Sequence, residues 1–298
     1  MTLYTQAESN IRKTWFLITL FLVFIIALGW FFSQYFEEPG FLIVAIVYSL
    51  VINVGSFWYS DKVVLALTRA KPIEKKDNPE IYRLVENLCI TAGLPTPKIY
   101  ITPEAQPNAF ATGRDKDHAA IALTQGLLQK LDKQELEGVI SHELSHVGNK
   151  DMLLMTVVVV LVGFVSVLSN WFMRSMFWGG ARRRDNNEGQ LGSILAIVGI
   201  VFMILSPIVA MLIQMAVSRK REFLADATGA LLTRYPEGLA SALEKISADK
   251  TPLTTASSST AHLYIANPFR GKGISGLFMT HPPIEERIKA LRAMDVEK

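Results

Sequence analysis

Residues 132–148, DKQELEGVISHELSHVG, decide how the rest of the chain is read. His142 and His146 stand four positions apart, so on a helix the two imidazoles lie one above the other and can grip a single metal ion. Glu143 sits beside the pair, placed to take a proton from a water on that metal, which is the core of a zinc peptidase. The flanks support the helix. Leu136, Val139, Ile140, Leu144 and Val147 form an apolar stripe, Asp132 and Glu135 make a capping box at its start, and Gly148 is the expected stop. The competing reading is a surface helix with two solvated histidines, but the uncharged neighbours of the motif favour burial.

Outward from this helix, the apolar half of the chain is gathered into long runs. Residues 14–36, 39–60, 152–173 and 189–218 each lack any charged side chain, and about 20 residues suffice to cross a bilayer. Four hydrophobic transmembrane helices are therefore expected. The first run is too long for a signal-peptide core, and Ser33–Glu38 offers no small-x-small cleavage site, so it is expected to remain as an anchor. Cys89 is the only cysteine, which excludes a disulfide framework. The net charge of +3, without a basic-aromatic stripe, gives no sign of nucleic-acid binding.

Lys and Arg set the orientation. Arg12 and Lys13 precede the first run, Glu37 and Glu38 follow it, and Lys62, Arg69, Lys71, Lys75 and Lys76 follow the second, so both ends of this hairpin belong in the cytoplasm. Arg182-Arg183-Arg184 runs against the rule. Either the last two runs span despite these arginines, or they form a hairpin embedded without full crossing, and in both cases the catalytic parts face the cytoplasm.

The predicted organisation is an N-terminal hairpin over residues 1–60, a soluble block over 61–151, a second apolar pair over 152–218 and a C-terminal soluble block over 219–298. In the first block, Asn78 caps and Pro79 opens a helix that reaches about Ala92, where Gly93 and Pro95 break it. Residues 98–101, 108–112 and 119–123 read as short strands of a small mixed or antiparallel sheet. The last block is mostly helical, with a Ser/Thr-rich stretch at 251–260 expected to be a mobile loop. Ile284, Ile288 and Leu291 mark a final amphipathic helix. The fold class is thus an α+β integral membrane protein, mainly helical.

A catalytic zinc keeps three protein ligands and an open position, so a third ligand is needed. His118, His262 and His281 are the remaining histidines, and Glu222 and Asp226, four apart, compete with them. Glu222 is favoured. Asp226, one turn on, is placed to accept a hydrogen bond from the distal nitrogen of a ligating imidazole. The plainer reading is a surface ion pair with Arg219 or Arg221. His281, stiffened by its flanking prolines, is the candidate donor to a developing oxyanion. His146 lies six residues before the third run and Glu222 four after the fourth, which puts both within roughly 10 Å of the bilayer.

Residues 142–146 (HELSH), 218–226 (SRKREFLAD) and 280–287 (THPPIEER) together resemble the HtpX family of bacterial membrane zinc peptidases, relatives of the CAAX prenyl endopeptidases, and the likeness runs nearly the whole chain. The resemblance implies a zincin-like endopeptidase with one Zn2+ per chain, held by His142, His146 and Glu222, with Glu143 as catalytic base. It implies that Asn108-Ala109-Phe110-Ala111 is the edge strand on which substrate lies, and that His281 and Arg287 support the site. Membrane proteins in the bilayer of the bacterial cytoplasmic membrane would be the substrates, in proteolytic quality control and stress response. The arginine-rich connection at 182–184 departs from the family pattern. Two other classes compete: a zinc-binding but non-catalytic scaffold, and a transporter suggested by Asn53 and Gln214 within apolar runs.

Overall fold

The computed structural model describes residues 3–35, 37–179, 219–257, 259–268 and 282–294. The fourth apolar run, the Arg182–Arg184 connection and His281 lie outside the described residues. Two long helices open the chain, α1 (Leu3–Tyr35) and α2 (Gly40–Leu67). Both are long and apolar enough to cross a membrane. Their packing is that of helices in lipid. α1 buries Leu17, Ile18, Phe21 and Ile25 against Leu154, Val157, Val158 and Leu161 of a third apolar helix, while Trp15, Phe16, Val23 and Trp30 remain exposed. α2 is turned inside out relative to a soluble helix: Ser49, Asn53, Ser56 and Ser60 are buried, and Val44, Val47, Val51 and Val54 face outward. Small polar residues at such spacing let helices approach closely and bond to their own backbone, as Asn53 Nδ2 does by donating to the Ser49 carbonyl at 2.8 Å.

A small sheet follows, with strands β1 (Lys71–Pro72), β2 (Lys98–Thr102), β3 (Ala109–Gly113) and β4 (Ala119–Thr124) in the order β1-β2-β4-β3. β2 and β4 are parallel, with Ile99 opposite Ile121, and the outer pairs are antiparallel, so the sheet is mixed. β1, only two residues long, carries no period-2 pattern and was not expected from the sequence. Between β1 and β2 runs α3 (Pro79–Ala92), entered as expected: Asn78 accepts from the Ile81 N–H, Pro79 occupies the first turn, and Gly93 closes the helix.

β3 and β4 are buried along their whole length because both faces of the sheet are covered. Ile99, Ala109, Ala111, Ile121 and Leu123 face a core shared with α3, with the short α4 (Gln125–Lys130) and with α5 (Lys133–Gly148). Phe110, Ala120 and Ala122 face Val64 of α2, Met155 and Val159 of α6 (Asp151–Gly179), and Leu253, Leu263 and Tyr264. The stretch at 251–260 is better tied down than its composition suggested. The Glu104 carboxylate accepts from the Thr254 and Thr255 amides and from the Thr254 hydroxyl at 2.7–3.1 Å.

α5 is held at both ends. Asp132 and Glu135 form the reciprocal capping box, and Glu135 also takes Ser241 and Lys245 of a later helix. The helix does end at Gly148, but the turn is made beyond it: Asn149 is the C-cap, and Lys150 enters the left-handed region at φ 56°. α6 then leaves at 85° to α5.

Two helices of the C-terminal block close over α5: α7 (Arg219–Thr233) and α8 (Pro236–Ala248). A final helix, α9 (Ile284–Arg292), packs on α8 and buries Arg287 and Leu291. The crossing of α5 and α8 depends on Gly138, where an added Cβ would stand 2.6 Å from the Leu239 nitrogen and 2.8 Å from its Cα. Backbone atoms cannot yield as a side-chain tip can. Gly138→Ala is expected to destabilise the folded protein by about 1–3 kcal/mol despite alanine's better helix propensity. Gly55→Ala, in open space, should not. Thermal unfolding in detergent checks both, and an unchanged melting temperature for Gly138→Ala would refute the close crossing.

Candidate metal centre

His142, His146 and Glu222 come together from α5 and α7, all three buried, and are the group of three potential metal donors found among the described residues. The two Nε2 atoms lie 3.2 Å apart, Glu222 Oε2 is 3.8 Å from His142 Nε2, and Glu222 Oε1 is 3.7 Å from His146 Nε2. Ligands at about 2.0–2.1 Å from a tetrahedral zinc stand roughly 3.3 Å from one another, so the spacing fits. α7 reaches α5 closely enough because Gly229 passes the motif itself, where a Cβ would meet the His142 nitrogen at 3.0 Å.

Each imidazole is aimed by its other nitrogen. His142 Nδ1 faces Asp226 Oδ1 at 2.9 Å, and His146 Nδ1 hydrogen-bonds Asp151 Oδ2 at 3.0 Å. A carboxylate can only accept, so both Nδ1 atoms carry the proton and both Nε2 lone pairs point into the same gap. Two lone pairs facing across 3.2 Å repel unless a cation or a shared proton lies between them. This donor set fits a divalent metal.

Arg287, fully buried, holds both oxygens of Asp226, Nε to Oδ2 at 2.8 Å and Nη2 to Oδ1 at 2.7 Å. Its Nη1 donates to the Ile265 carbonyl at 2.9 Å and lies 3.6 Å from Glu222 Oε2. Burial alone would raise the Asp226 pKa, but the Arg287 charge and hydrogen bonds hold it down to about 2. For His146, burial is overcome by the Asp151 bond and by the charges of Glu222, Asp151 and Glu143, which carry it up to about 9. His142 goes the other way: burial and the Arg287 charge outweigh Asp226 and lower it. Glu143, also buried, is pushed up to about 7 chiefly by desolvation, while the Ala111 amide bonds it and limits the rise.

The other candidate ligands sit elsewhere. His118 lies half-exposed in a turn with Asp115, and His262 is buried with Nε2 3.0 Å from the Met155 carbonyl. β3 is indeed the edge strand, but it is not an open edge. The Ile265 amide donates to the Ala109 carbonyl at 3.0 Å, and the Asn108 side chain bonds both the carbonyl and the amide of Ala266, so the first half of the edge is already paired. The Ala111 amide, by contrast, turns to Glu143. Two features escaped the sequence: this covering segment, and Asp151, which read as the end of a soluble block. A buried acid five residues after His146, at the mouth of an apolar run, was the available signal.

Paired imidazoles on one helix, a carboxylate from a second and a small mixed sheet alongside, on a chain with membrane-length apolar helices, define a membrane metallopeptidase. Residues 75–295 match the model of Peptidase family M48, and the chain belongs to that family. It is 48% identical to a protein described as "Protease HtpX homolog" from Caldanaerobacter subterraneus subsp. tengcongensis, over 99% of both chains. A relative of the same description from Thermococcus sibiricus is 48% identical over 86% of this chain and 87% of its own. The fold is shared with the crystal structure of S. mikatae Ste24p, at a TM-score of 0.50 and 18% identity, over 97% of this chain and 67% of that one.

If Glu222 is the donor and Asp226 the group that aims His142, Glu222→Ala should abolish stoichiometric metal binding, while Asp226→Ala should weaken it roughly 10–100-fold. Metal content and competition with a chelator, measured on folded protein, separate the two. Full metal content in Glu222→Ala with loss in Asp226→Ala would exchange their roles.

Proposed function

We propose that this protein is a zinc-dependent endopeptidase that cleaves membrane proteins close to the cytoplasmic face of the bilayer, one zinc per chain, with His142, His146 and Glu222 as ligands. The observation that carries this reading is the convergence of two Nε2 lone pairs and a Glu222 oxygen in one buried gap, each imidazole aimed by its own carboxylate.

Zinc bound there would lower the pKa of a water it holds to about 7 and polarise a carbonyl oxygen. Glu143 does the proton work. As water adds to the peptide carbonyl carbon, a Glu143 carboxylate oxygen accepts its proton, and the same oxygen returns it to the amine nitrogen as the C–N bond breaks. Burial suits Glu143 to this exchange, because a carboxyl group with a pKa near 7 both takes and gives a proton readily at neutral pH. Arg287 acts at one remove, fixing Asp226 and thereby His142. The substrate is held in extended form beside Ala111, the point of the β3 edge that adjoins Glu143. His281 remains a proposed oxyanion donor.

The cytoplasmic side follows from α1. Asn10 near its N-terminal end contacts Asp151 and Asn149, so the site lies at the end of α1 that carries Arg12 and Lys13, and cations mark the cytoplasmic end of a span. This supports a protein of the bacterial cytoplasmic membrane, with misfolded membrane proteins as its substrates.

Glu143→Gln should retain zinc, because the carboxylate is no ligand, and lose peptidase activity by roughly a hundredfold or more. Turnover of a membrane substrate by the zinc-loaded variant at the wild-type rate would remove Glu143 from its role. A second expectation concerns location. A peptide tethered to a bilayer should be cut faster than the same peptide free in solution, and equal rates in reconstituted vesicles would count against a membrane-facing site.

A further inference from the structure

We infer that Asn10, on the membrane helix α1, is a positioning residue for the metal centre: it holds Asp151 in place to aim His146, so the site is complete only when α1 is docked. The inference rests on the reading of His146 as a metal ligand.

Asn10 is buried, 1% exposed, close to the start of the apolar span at residues 8–34. A buried amide there needs partners, and among the described residues those of its side chain lie on other helices. Its Nδ2 donates to Asp151 Oδ1 at 2.5 Å and lies 3.3 Å from the Asn149 carbonyl, while its Oδ1 accepts from Arg221 Nη1 at 3.4 Å. The other oxygen of the same Asp151 carboxylate takes the His146 Nδ1 proton at 3.0 Å. Asn10, Asp151 and His146 thus form one line of contacts across three helices.

Asp151 is buried, with the Arg221 guanidinium nearby. It opens α6 just past the 85° corner after α5, and a carboxylate there could turn toward solvent or toward the Arg221 guanidinium 3.7 Å away. The short bond from Asn10 fixes one oxygen, and that leaves the second directed at the imidazole. The bond to the Asn149 carbonyl pins the corner itself. α1 supplies none of the three metal donors, yet through one amide it sets the tautomer and direction of one of them.

The test uses the full-length protein in detergent, with Zn2+ competed against a chelator and Co2+ as a spectroscopic probe of ligand geometry. Asn10→Ala should weaken zinc binding about 10–100-fold and alter the Co2+ visible absorption. Leu17→Ala, which opens the packing of α1 on α6 without touching the polar line, should leave both within about threefold of wild type. Asn10→Asp keeps the shape but loses the donor, and should behave as Asn10→Ala if that variant fails to fold. Wild-type affinity and spectrum in a folded Asn10 variant, with Glu222→Ala still deficient, would overturn this inference and leave the proposed metal centre standing. Equal weakening in Leu17→Ala would also overturn it, by reducing Asn10 to packing. Failure of the wild-type protein to bind zinc or cobalt would remove the metal reading and this inference with it.

Discussion

Everything in this molecule depends on holding two buried imidazole lone pairs toward one another across 3.2 Å. That arrangement is unfavourable on its own, and it is enforced by charge. Asp151 and Asp226 each take an Nδ1 proton, Glu222 closes the third side, and Glu143 stands beside them. Against these four buried carboxylates stand two buried guanidiniums, Arg221 and Arg287. The balance is negative, which suits a divalent cation between the imidazoles. The same carboxylates draw His146 up to about 9, the Asp151 hydrogen bond first among them.

The remainder of the fold serves to fix the frames from which these groups project. α5 is capped by Asp132 and Glu135, crossed at Gly138 by α8 and passed at Gly229 by α7, so its position is set over its whole length by backbone contacts that no rotamer change can relieve. The sheet lies beside it with both faces covered, which keeps the β3 edge and the Ala111 amide in register with Glu143. Arg287 arrives from α9, near the end of the chain, and ties Asp226 of α7 to the Ile265 carbonyl of the covering segment. One guanidinium therefore joins the candidate metal centre to the segment that covers the first half of the β3 edge.

Local patterns in the sequence disclosed what local chemistry governs. The capping box before α5, the Asn78-Pro79 start of α3, three of four strands and the amphipathic α9 are all set by residues within a few positions of one another, and each was found where expected. The convergence of Glu222 with the histidines was also legible, because acids at i and i+4 after an apolar run suggested a functional face. Contacts between distant segments were not. Asn10 meets Asp151 across 141 positions, Asn108 meets Ala266 across 158, and neither residue type carries a period or a motif that announces its partner. β1 was missed for the opposite reason, since two residues are too few to show any alternation.

The corner between α5 and α6 explains why the candidate metal centre and the apolar bundle adjoin. A helix carrying metal donors needs polar neighbours to aim the imidazoles, whereas a helix in lipid excludes them. Running one into the other in a straight line would force the Asp151 carboxylate toward hydrocarbon. The 85° turn at Asn149-Lys150 avoids this by laying α5 against the soluble sheet while α6 enters the apolar bundle, so that Asp151 falls at the junction. There it can face His146 on one side and Asn10 of α1 on the other. The closeness of the candidate metal centre to the apolar bundle is thus a consequence of how the second imidazole is aimed: the carboxylate that aims it is the first residue of an apolar helix.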